Sequence, residues 1–529
     1  MSEASAPVPA SPDGPPSGAR LDVGSVMARN TLWNYIGFSV NLAVNFALFP
    51  FVVRRLGTGP AGVWLLLGSV TGYMGLMELG IVPALMQRIA SALGRGSRTA
   101  LNETVTTAVA LMGGMMLVAL QIVWFAPTIA SHLQLPDGLM PQAVDAISIA
   151  MAGVALRMPL APFQAVLLGC QRQDRCSQLW ITLAIVKAVS TVLLVLMGVG
   201  VVGIVTMEAT AHLAAGALQI LWVRQELPGL RLRAADVCMQ EARDLLAFGV
   251  QVTLAGVFML VVEQTDKLVI GAFLPIEQVT LYSAAWKLYM LAFSIPTTLV
   301  QALSPVLANL HGAGDVTRLR GAYFRMTKYS GALALPVAAT LALSGGWLLR
   351  VWMGHEFSSV HPVVTVLVCG LAITALNHAG HSALLATGQV RRRLWVYDAP
   401  QAVLNLALSL WLVRPLGILG VAIGTLIPAL LMQPVFLRML LDSIGVSWAE
   451  WSRLAWRTVA PALVAFLPAL LLRMAAGPES FAVLAVCSAS ALAYLVWFWT
   501  RGLDDGERRW LLARIARSAG AGRTSESTT

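Results

Sequence analysis

The chain has 529 residues, 57% of them hydrophobic and only 12% charged, with a mean hydropathy of +0.73 and a net charge of +10. Soluble domains carry about 25% charged residues, so the composition excludes an ordinary soluble enzyme or binding module and marks an all-α, polytopic membrane protein. The five cysteines (Cys170, Cys176, Cys238, Cys369 and Cys487) are odd in number and form no C-x-x-C, which speaks against a zinc or disulfide framework; no cofactor is expected.

In chain order, residues 1–26 are rich in Pro, Ser, Ala and Gly without an apolar core. They read as a disordered N-terminal tail rather than a signal peptide. Windows of about 19 apolar residues then give about fourteen transmembrane helices, near 31–53, 62–86, 102–126, 143–169, 178–198, 201–223, 246–274, 279–304, 327–349, 362–387, 394–413, 417–439, 457–473 and 481–500. The connecting loops are short. Residues 27–224 form a first six-helix bundle, 225–243 a cytoplasmic linker, 244–441 a second six-helix bundle, and 442–500 hold helices 13 and 14. Residues 501–529 contain "ERRWLLARIARS", a basic amphipathic segment suited to an anionic inner surface, followed by a disordered tail.

Roughly 27 of the 36 Lys and Arg residues fall in the segments on the N-terminal side of the membrane. The positive-inside rule then places both termini in the cytoplasm. The net charge follows from this topology and from contact with anionic lipids, so no nucleic-acid partner is implied.

Landmarks recur at a nearly constant offset. Trp64 and Tyr282 are 218 residues apart, as are Gly96 and Gly314, while Gly169 and Gly388 are 219 apart and Gly200 and Gly417 are 217 apart. Six spans read as copied once, giving two pseudo-symmetric bundles related by an axis along the membrane normal, with a central cavity between them. The sequence lacks GxxxxGK[ST], H-E-x-x-H and G-x-S-x-G, and no long outer loop exists to carry a glycosyltransferase or polymerase site. Transport without covalent chemistry is the expected class.

Four stretches carry a resemblance. "LGTGPAGVWLLLGSVTGYMGLMELGIVPALMQRIASALGRG" (56–96), "TDKLVIGAFLPIEQVTLYSAAWKLYMLAFSIPTTLVQALSPVLANLHGAGD" (265–315), and "LLATGQVRRRLWV" (384–396) with "PLGILGVAIGT" (415–425) resemble bacterial lipid-linked oligosaccharide flippases. These are the Wzx-like polysaccharide biosynthesis branch of the MOP superfamily, which also holds the MATE antiporters. The resemblance covers roughly residues 27–440. It implies a bacterial inner-membrane flippase that moves an undecaprenyl-pyrophosphate-linked oligosaccharide by alternating access, for lipopolysaccharide or exopolysaccharide synthesis. Implied partners are the lipid-linked glycan, membrane lipids, a polysaccharide polymerase, a chain-length regulator, and a coupling cation, H+ or Na+. The alternatives are an ion-coupled multidrug or organic-cation antiporter of the MATE type, and a membrane scaffold.

Arg157, Lys187, Lys267 and Lys287 fall inside spans, where cations are expensive unless paired or hydrated. Each is a candidate for replacing the solvation of a pyrophosphate through charge-assisted hydrogen bonds, or for an internal ion pair. Arg157 precedes Pro159 and Pro162, which should kink its helix. Asn34, Asn41 and Asn45 share one face of helix 1 and suit sugar hydroxyls or helix contacts.

In "EQTDKLVIG", Glu263 and Lys267 stand at i,i+4 and are expected to neutralise one another. Asp266 is left needing a partner on another helix or a hydrated cavity. It is the preferred coupling or gating carboxylate, with an ion pair across the bundle as the alternative. Glu78, read as mid-span in helix 2, and Glu208, at i,i+4 with His212, are further coupling candidates or packing residues. His378 and His381, spaced i,i+3, lack nearby carboxylates or cysteines in sequence and are not taken as metal ligands.

Overall fold

A computed structural model describes residues 23–509 and 512. Nearly all described residues are helical, and among them there is no strand. The first half runs α1 (Val23–Leu56), α2 (Thr58–Gly75), α3 (Ile81–Gly94), α4 (Arg98–Ile122), α5 (Ala126–Ser131), α6 (Met140–Arg157), α7 (Ala161–Gly169), α8 (Gln173–Leu196) and α9 (Val201–Glu226). The second runs α10 (Met239–Phe273), α11 (Glu277–Gly312), α12 (Val316–Met353), α13 (His361–Thr374), α14 (His378–Ala386), α15 (Val390–Arg393) and α16 (Ala399–Ile444), and is followed by α17 (Trp448–Ala476) and α18 (Phe481–Trp497). The tail expected over 1–26 lies outside the described residues as far as residue 22, as does most of the basic segment after residue 509.

Among the described residues, twelve helical segments are long and apolar enough to cross a membrane, and the pair Met239–Leu254 and Gly256–Phe273, bent by 44°, makes a thirteenth if it is counted as one span. One of the twelve, Val390–Ile444, is 55 residues long. At 1.5 Å per residue it would reach about 80 Å, far beyond a hydrocarbon core of about 30 Å. The chain therefore turns back within it. Gly417 takes φ 59° and ψ −141° inside the run, and a Cβ on Gly420 would lie 2.1 Å from the Leu412 carbonyl oxygen. The windows at 394–413 and 417–439 are the two arms.

The second span departs from the expected continuous helix. After α2 a short 3-10 turn covers Leu76–Glu78, and then Leu79 (φ 46°) and Gly80 (φ 60°) both take left-handed backbone before α3 starts. The cause lies on another helix: a Cβ on Gly80 would sit 2.6 Å from the Gly249 carbonyl oxygen, and one on Gly249 would sit 2.1 Å from that of Leu79. Two glycines thus let α10 cross the break with backbone against backbone. Lipid tails are as apolar as leucine, so helices in a bilayer associate through such close packing rather than through the hydrophobic effect.

α17 and α18 pack on the second half rather than between the halves. Phe466, Ala469, Val483 and Cys487 cluster with Leu343 of α12, and Tyr494 donates to the Thr458 carbonyl at 3.1 Å.

Candidate functional site

Two polar sets lie within the spans, one in each half. In the first half, Pro159 and Pro162 convert the end of α6 into a 3-10 turn over Met158–Leu160, as the missing backbone donors require. Arg157 stands just before this turn, and its Nη2 meets Glu78 Oε1 at 2.9 Å. Glu78 is not mid-helix as expected. It closes the 3-10 turn at the break of the second span, where the backbone no longer holds its side chain on a helix face. Nearby, Lys187 Nζ of α8 lies 3.6 Å from Glu208 Oε1 of α9.

Lys187 and Glu208 line a cavity of about 220 Å³ together with Asn41, Asn45, Trp64 and Trp180. Asn45 Nδ2 donates to Asn41 Oδ1 at 2.8 Å, which leaves the outer edges of this amide pair facing the cavity. A smaller hollow beside it is lined by Arg157 and shares Trp180, Leu183 and His212. Both ion pairs are only partly covered, with Arg157 and Glu78 at 31% and 21% side-chain exposure. The Asn34 side chain lies outside the described residues.

In the second half, Asp266 is buried at 1% exposure. Its Oδ2 accepts from the Tyr282 hydroxyl at 2.5 Å and from Thr425 Oγ1 at 3.0 Å, while Oδ1 has no partner. Asn405 Nδ2 donates to Thr425 Oγ1 at 3.0 Å, orienting that hydroxyl toward the carboxylate. Asn405 Oδ1 and Ser409 Oγ are also buried without partners. Asp266 was expected to need a group on another helix or a hydrated cavity, with an ion pair across the bundle as the alternative; the structure supplies two hydroxyls, from α11 and α16, and, among the described residues, no basic partner. A buried carboxylate with an unpartnered oxygen, ringed by hydroxyl and amide groups, suits a proton or a hard monovalent cation.

The local pairing expected in "EQTDKLVIG" does not form. Lys267 Nζ donates to Gln264 Oε1 at 3.3 Å rather than to Glu263, and Gln264 also accepts from Ser69 Oγ at 3.1 Å. Tyr73 hydrogen-bonds Thr265. This polar run is the seam where α10 meets α2. Burial against another helix outweighs an i,i+4 attraction worth about 0.2–0.5 kcal/mol. Lys287 lines neither cavity; its Nζ sits 4.9 Å from the centre of the Phe49 ring, a cation–π contact between the halves. His378 and His381 stand against the rings of Phe293 (5.1 Å) and Phe436 (4.5 Å), and among the described residues no three His, Cys, Asp or Glu side chains gather around a metal-sized space.

Tyr282, Asn405 and Thr425 were not singled out as site residues by sequence reasoning. A signal existed for two of them, since Asn405 in "AVLNLAL" and Thr425 in "AIGTLIP" are polar residues set in apolar runs.

The halves are tied at the face that the Lys and Arg distribution assigns as outer. Thr280 Oγ1 donates to the Thr58 carbonyl at 2.6 Å, Arg54 Nη2 to that of Trp352 at 3.0 Å, and Trp352 Nε1 to that of Phe46 at 3.2 Å. Phe46 and Trp352 stack with centroids 4.1 Å apart. The bent α10 joins both halves. Near its start Glu241 and Asp244 hold Arg88 of α3 at 2.6 and 2.9 Å, and near its end Asp266 is bonded to Thr425 of α16.

Residues 70–362, more than half of the chain, match a family model described as polysaccharide biosynthesis protein. Over 427 residues the chain is 22% identical to a "Putative O-antigen transporter" of Shigella flexneri, covering 78% of this chain and 98% of that protein. Over 414 residues it is 23% identical to a "Probable flippase AglR" of Haloferax volcanii, covering 76% and 81%. Its fold is similar to that of the lipid II flippase MurJ in an inward closed conformation (TM-score 0.68, 10% identity, 89% and 98% covered). It is also similar to an inward-facing MATE family transporter of the MOP superfamily (TM-score 0.67, 16% identity, 79% and 98% covered). The match over residues 70–362 settles the assignment: this multi-pass membrane chain belongs to the polysaccharide biosynthesis protein family.

Proposed function

We propose that the chain is a flippase that carries an undecaprenyl-pyrophosphate-linked oligosaccharide across a bacterial inner membrane, for surface or extracellular polysaccharide. The observation that carries this reading is the first-half site, where Arg157 and Lys187 sit within the spans beside amides and a tryptophan. Each cation is held by a carboxylate, Glu78 or Glu208. That pairing makes an intramembrane charge tolerable while the cavity is empty. A pyrophosphate brings several anionic oxygens and displaces the carboxylates, and the planar Arg157 fork holds two of them at once. Asn41 and Asn45 meet sugar hydroxyls, and the polyprenyl tail stays in lipid. A carrier of organic cations would leave Glu78 and Glu208 free for its cargo, and here both are engaged with cations. The relatives' names, an O-antigen transporter and a flippase, support the same choice.

In the proposed cycle the ties at the outer face break and re-form as the halves rock, with two six-helix halves related by pseudo-symmetry and both termini cytoplasmic. α10, fixed to one half near its start and to the other near its end, bends as they move. Loading of Asp266 by a proton or Na+ changes its bonds to Tyr282 and Thr425 and so couples the ion to the position of α10. A polymerase and a chain-length regulator act on the product outside.

The test uses a strain whose surface glycan depends on this gene. Depletion should leave lipid-linked oligosaccharide accumulating on the cytoplasmic leaflet while drug sensitivity is unchanged. Normal surface glycan with a new sensitivity to organic cations would replace this reading with the antiporter.

A further inference from the structure

Where α12 and α17 begin and α18 ends, a separate cavity of about 920 Å³ opens at the ends of these spans. Its volume is in the range of small-molecule sites, about 300–1,000 Å³. Its lining carries Arg325, Lys328, Arg457 and Arg501 against two carboxylates, Asp504 and Glu507. Lys328 is already committed, to Glu507 at 2.5 Å and to the Gly502 carbonyl at 3.1 Å. Among the described residues, no carboxylate lies within 4.0 Å of Arg325, Arg457 or Arg501. Three guanidinium groups thus share one concavity without internal neutralisation, opposed by Asp504 alone.

The rim explains what kind of anion fits. Trp456 is 67% exposed, and Trp497 and Phe498 complete an aromatic edge, the residue class that sits at lipid headgroup level. From Trp456 an apolar stripe climbs α17 at helical spacing through Ala460, Leu463, Val464, Leu467 and Leu471, and the last four are 51–71% exposed. The site therefore has a cationic basin at headgroup depth and an uncovered apolar track leading into the bilayer.

We propose that this cavity binds the phosphate headgroup of an anionic phospholipid, with the acyl chains lying along the α17 stripe. The arginines form charge-assisted and bidentate bonds to phosphate oxygens, and the anionic surface concentrates the ligand where it is needed. This site lies outside the proposed glycan path, and its assignment to the inner leaflet rests on the cytoplasmic reading of this face.

The experiment uses purified full-length protein, stripped of lipid in detergent and titrated with dioleoyl phosphatidylglycerol, dioleoyl phosphatidylcholine or sodium phosphate, with bound mass read by native mass spectrometry. The expected result is one phosphatidylglycerol retained per chain, at least tenfold more tightly than phosphatidylcholine, and undisplaced by millimolar phosphate. Combined Arg325→Gln, Arg457→Gln and Arg501→Gln should weaken retention at least tenfold. The three lysine replacements should fall between, because lysine keeps the charge without the planar fork. If the glutamine variant fails to fold, Arg457→Gln alone carries the comparison, with about a threefold loss expected.

Equal retention by wild type and variants overturns the proposal, as does full displacement by phosphate, which would mark a bare anion site. Stronger binding of undecaprenyl pyrophosphate than of phosphatidylglycerol also overturns it, by assigning the cavity to the transported lipid. Surface glycan is scored separately in cells carrying the same variants, so failure of lipid binding and failure of transport are read on different measurements.

Discussion

Arg157 and Glu78, 79 residues apart in sequence, meet at 2.9 Å where two broken helices face each other, one interrupted by prolines and the other by left-handed backbone. Arg157 is the last residue of α6 before its 3-10 turn, and Glu78 closes the 3-10 turn of the second span, so the two charges meet where both helix ladders are interrupted.

This geometry separates a structural from a binding role. Arg157→Ala strands Glu78, and breaking a buried pair costs about 3–5 kcal/mol; with both groups part-exposed, a cost of about 1–2 kcal/mol is expected here. Arg157→Ala should therefore lower membrane abundance and Tm, and Arg157→Ala with Glu78→Ala should restore both. Surface glycan should remain absent in the double variant. Recovery of export with recovery of abundance would remove Arg157 from the substrate path.

Asp266 makes a different prediction, because its partners are neutral. Asp266→Asn keeps an oxygen able to accept from Tyr282 and Thr425, so abundance should stay near wild type while export falls at least tenfold through loss of the ionisable group. Tyr282→Phe leaves the carboxylate with one hydroxyl fewer, which costs about 1–3 kcal/mol for an unsatisfied buried group, and should lower Tm. Pulse-chase of the surface glycan beside thermal shift of the purified protein distinguishes the two effects.

At the α10 crossing, Gly249→Ala places a methyl group 2.1 Å from the Leu79 carbonyl oxygen. Backbone cannot swing aside as a side chain does, and overpacking of this kind costs about 1–3 kcal/mol or more. Gly256→Ala, where the added carbon meets nothing within 4 Å, should be well tolerated. Thermal melts of the two proteins give the comparison, and equal melting temperatures would show that the crossing is loose.

The stack of Phe46 on Trp352 ties the face that the Lys and Arg distribution assigns as outer, and such aromatic pairs contribute about 0.5–1.5 kcal/mol beyond their buried area. Trp352→Ala also removes the hydrogen bond to the Phe46 carbonyl. The population open to the outside should rise by about 3- to 10-fold. A Ser283→Cys reporter, one turn along α11 from Thr280 and buried without a hydrogen-bond partner, labelled with a membrane-impermeant maleimide on intact cells, should react faster by that factor in the Trp352→Ala background. Unchanged labelling would show that the remaining outer contacts hold the face closed by themselves.

The amino-acid sequence by itself determined the membrane class, the position of nearly every span, and the few polar residues that a bilayer makes conspicuous. This is because a membrane helix satisfies its backbone within its own segment, so composition and hydropathy over about 20 residues suffice to place it. The change of helix type after Arg157, a 3-10 turn over Met158–Leu160, was legible for the same reason, since proline acts on its own turn. What only the tertiary structure decided was which polar groups meet. Glu263 and Lys267 looked like a pair by local spacing, yet Lys267 bonds Gln264, which is also bound by Ser69 of α2. Asp266 needed a partner from elsewhere and received Thr425, 159 residues away, together with Tyr282. The break at Leu79 and Gly80 follows from Gly249 on a helix that no local window connects to it. Spacing along one helix is set by the chain, but contact between helices depends on how all of them pack, and it is this packing that turns isolated intramembrane charges into paired sites.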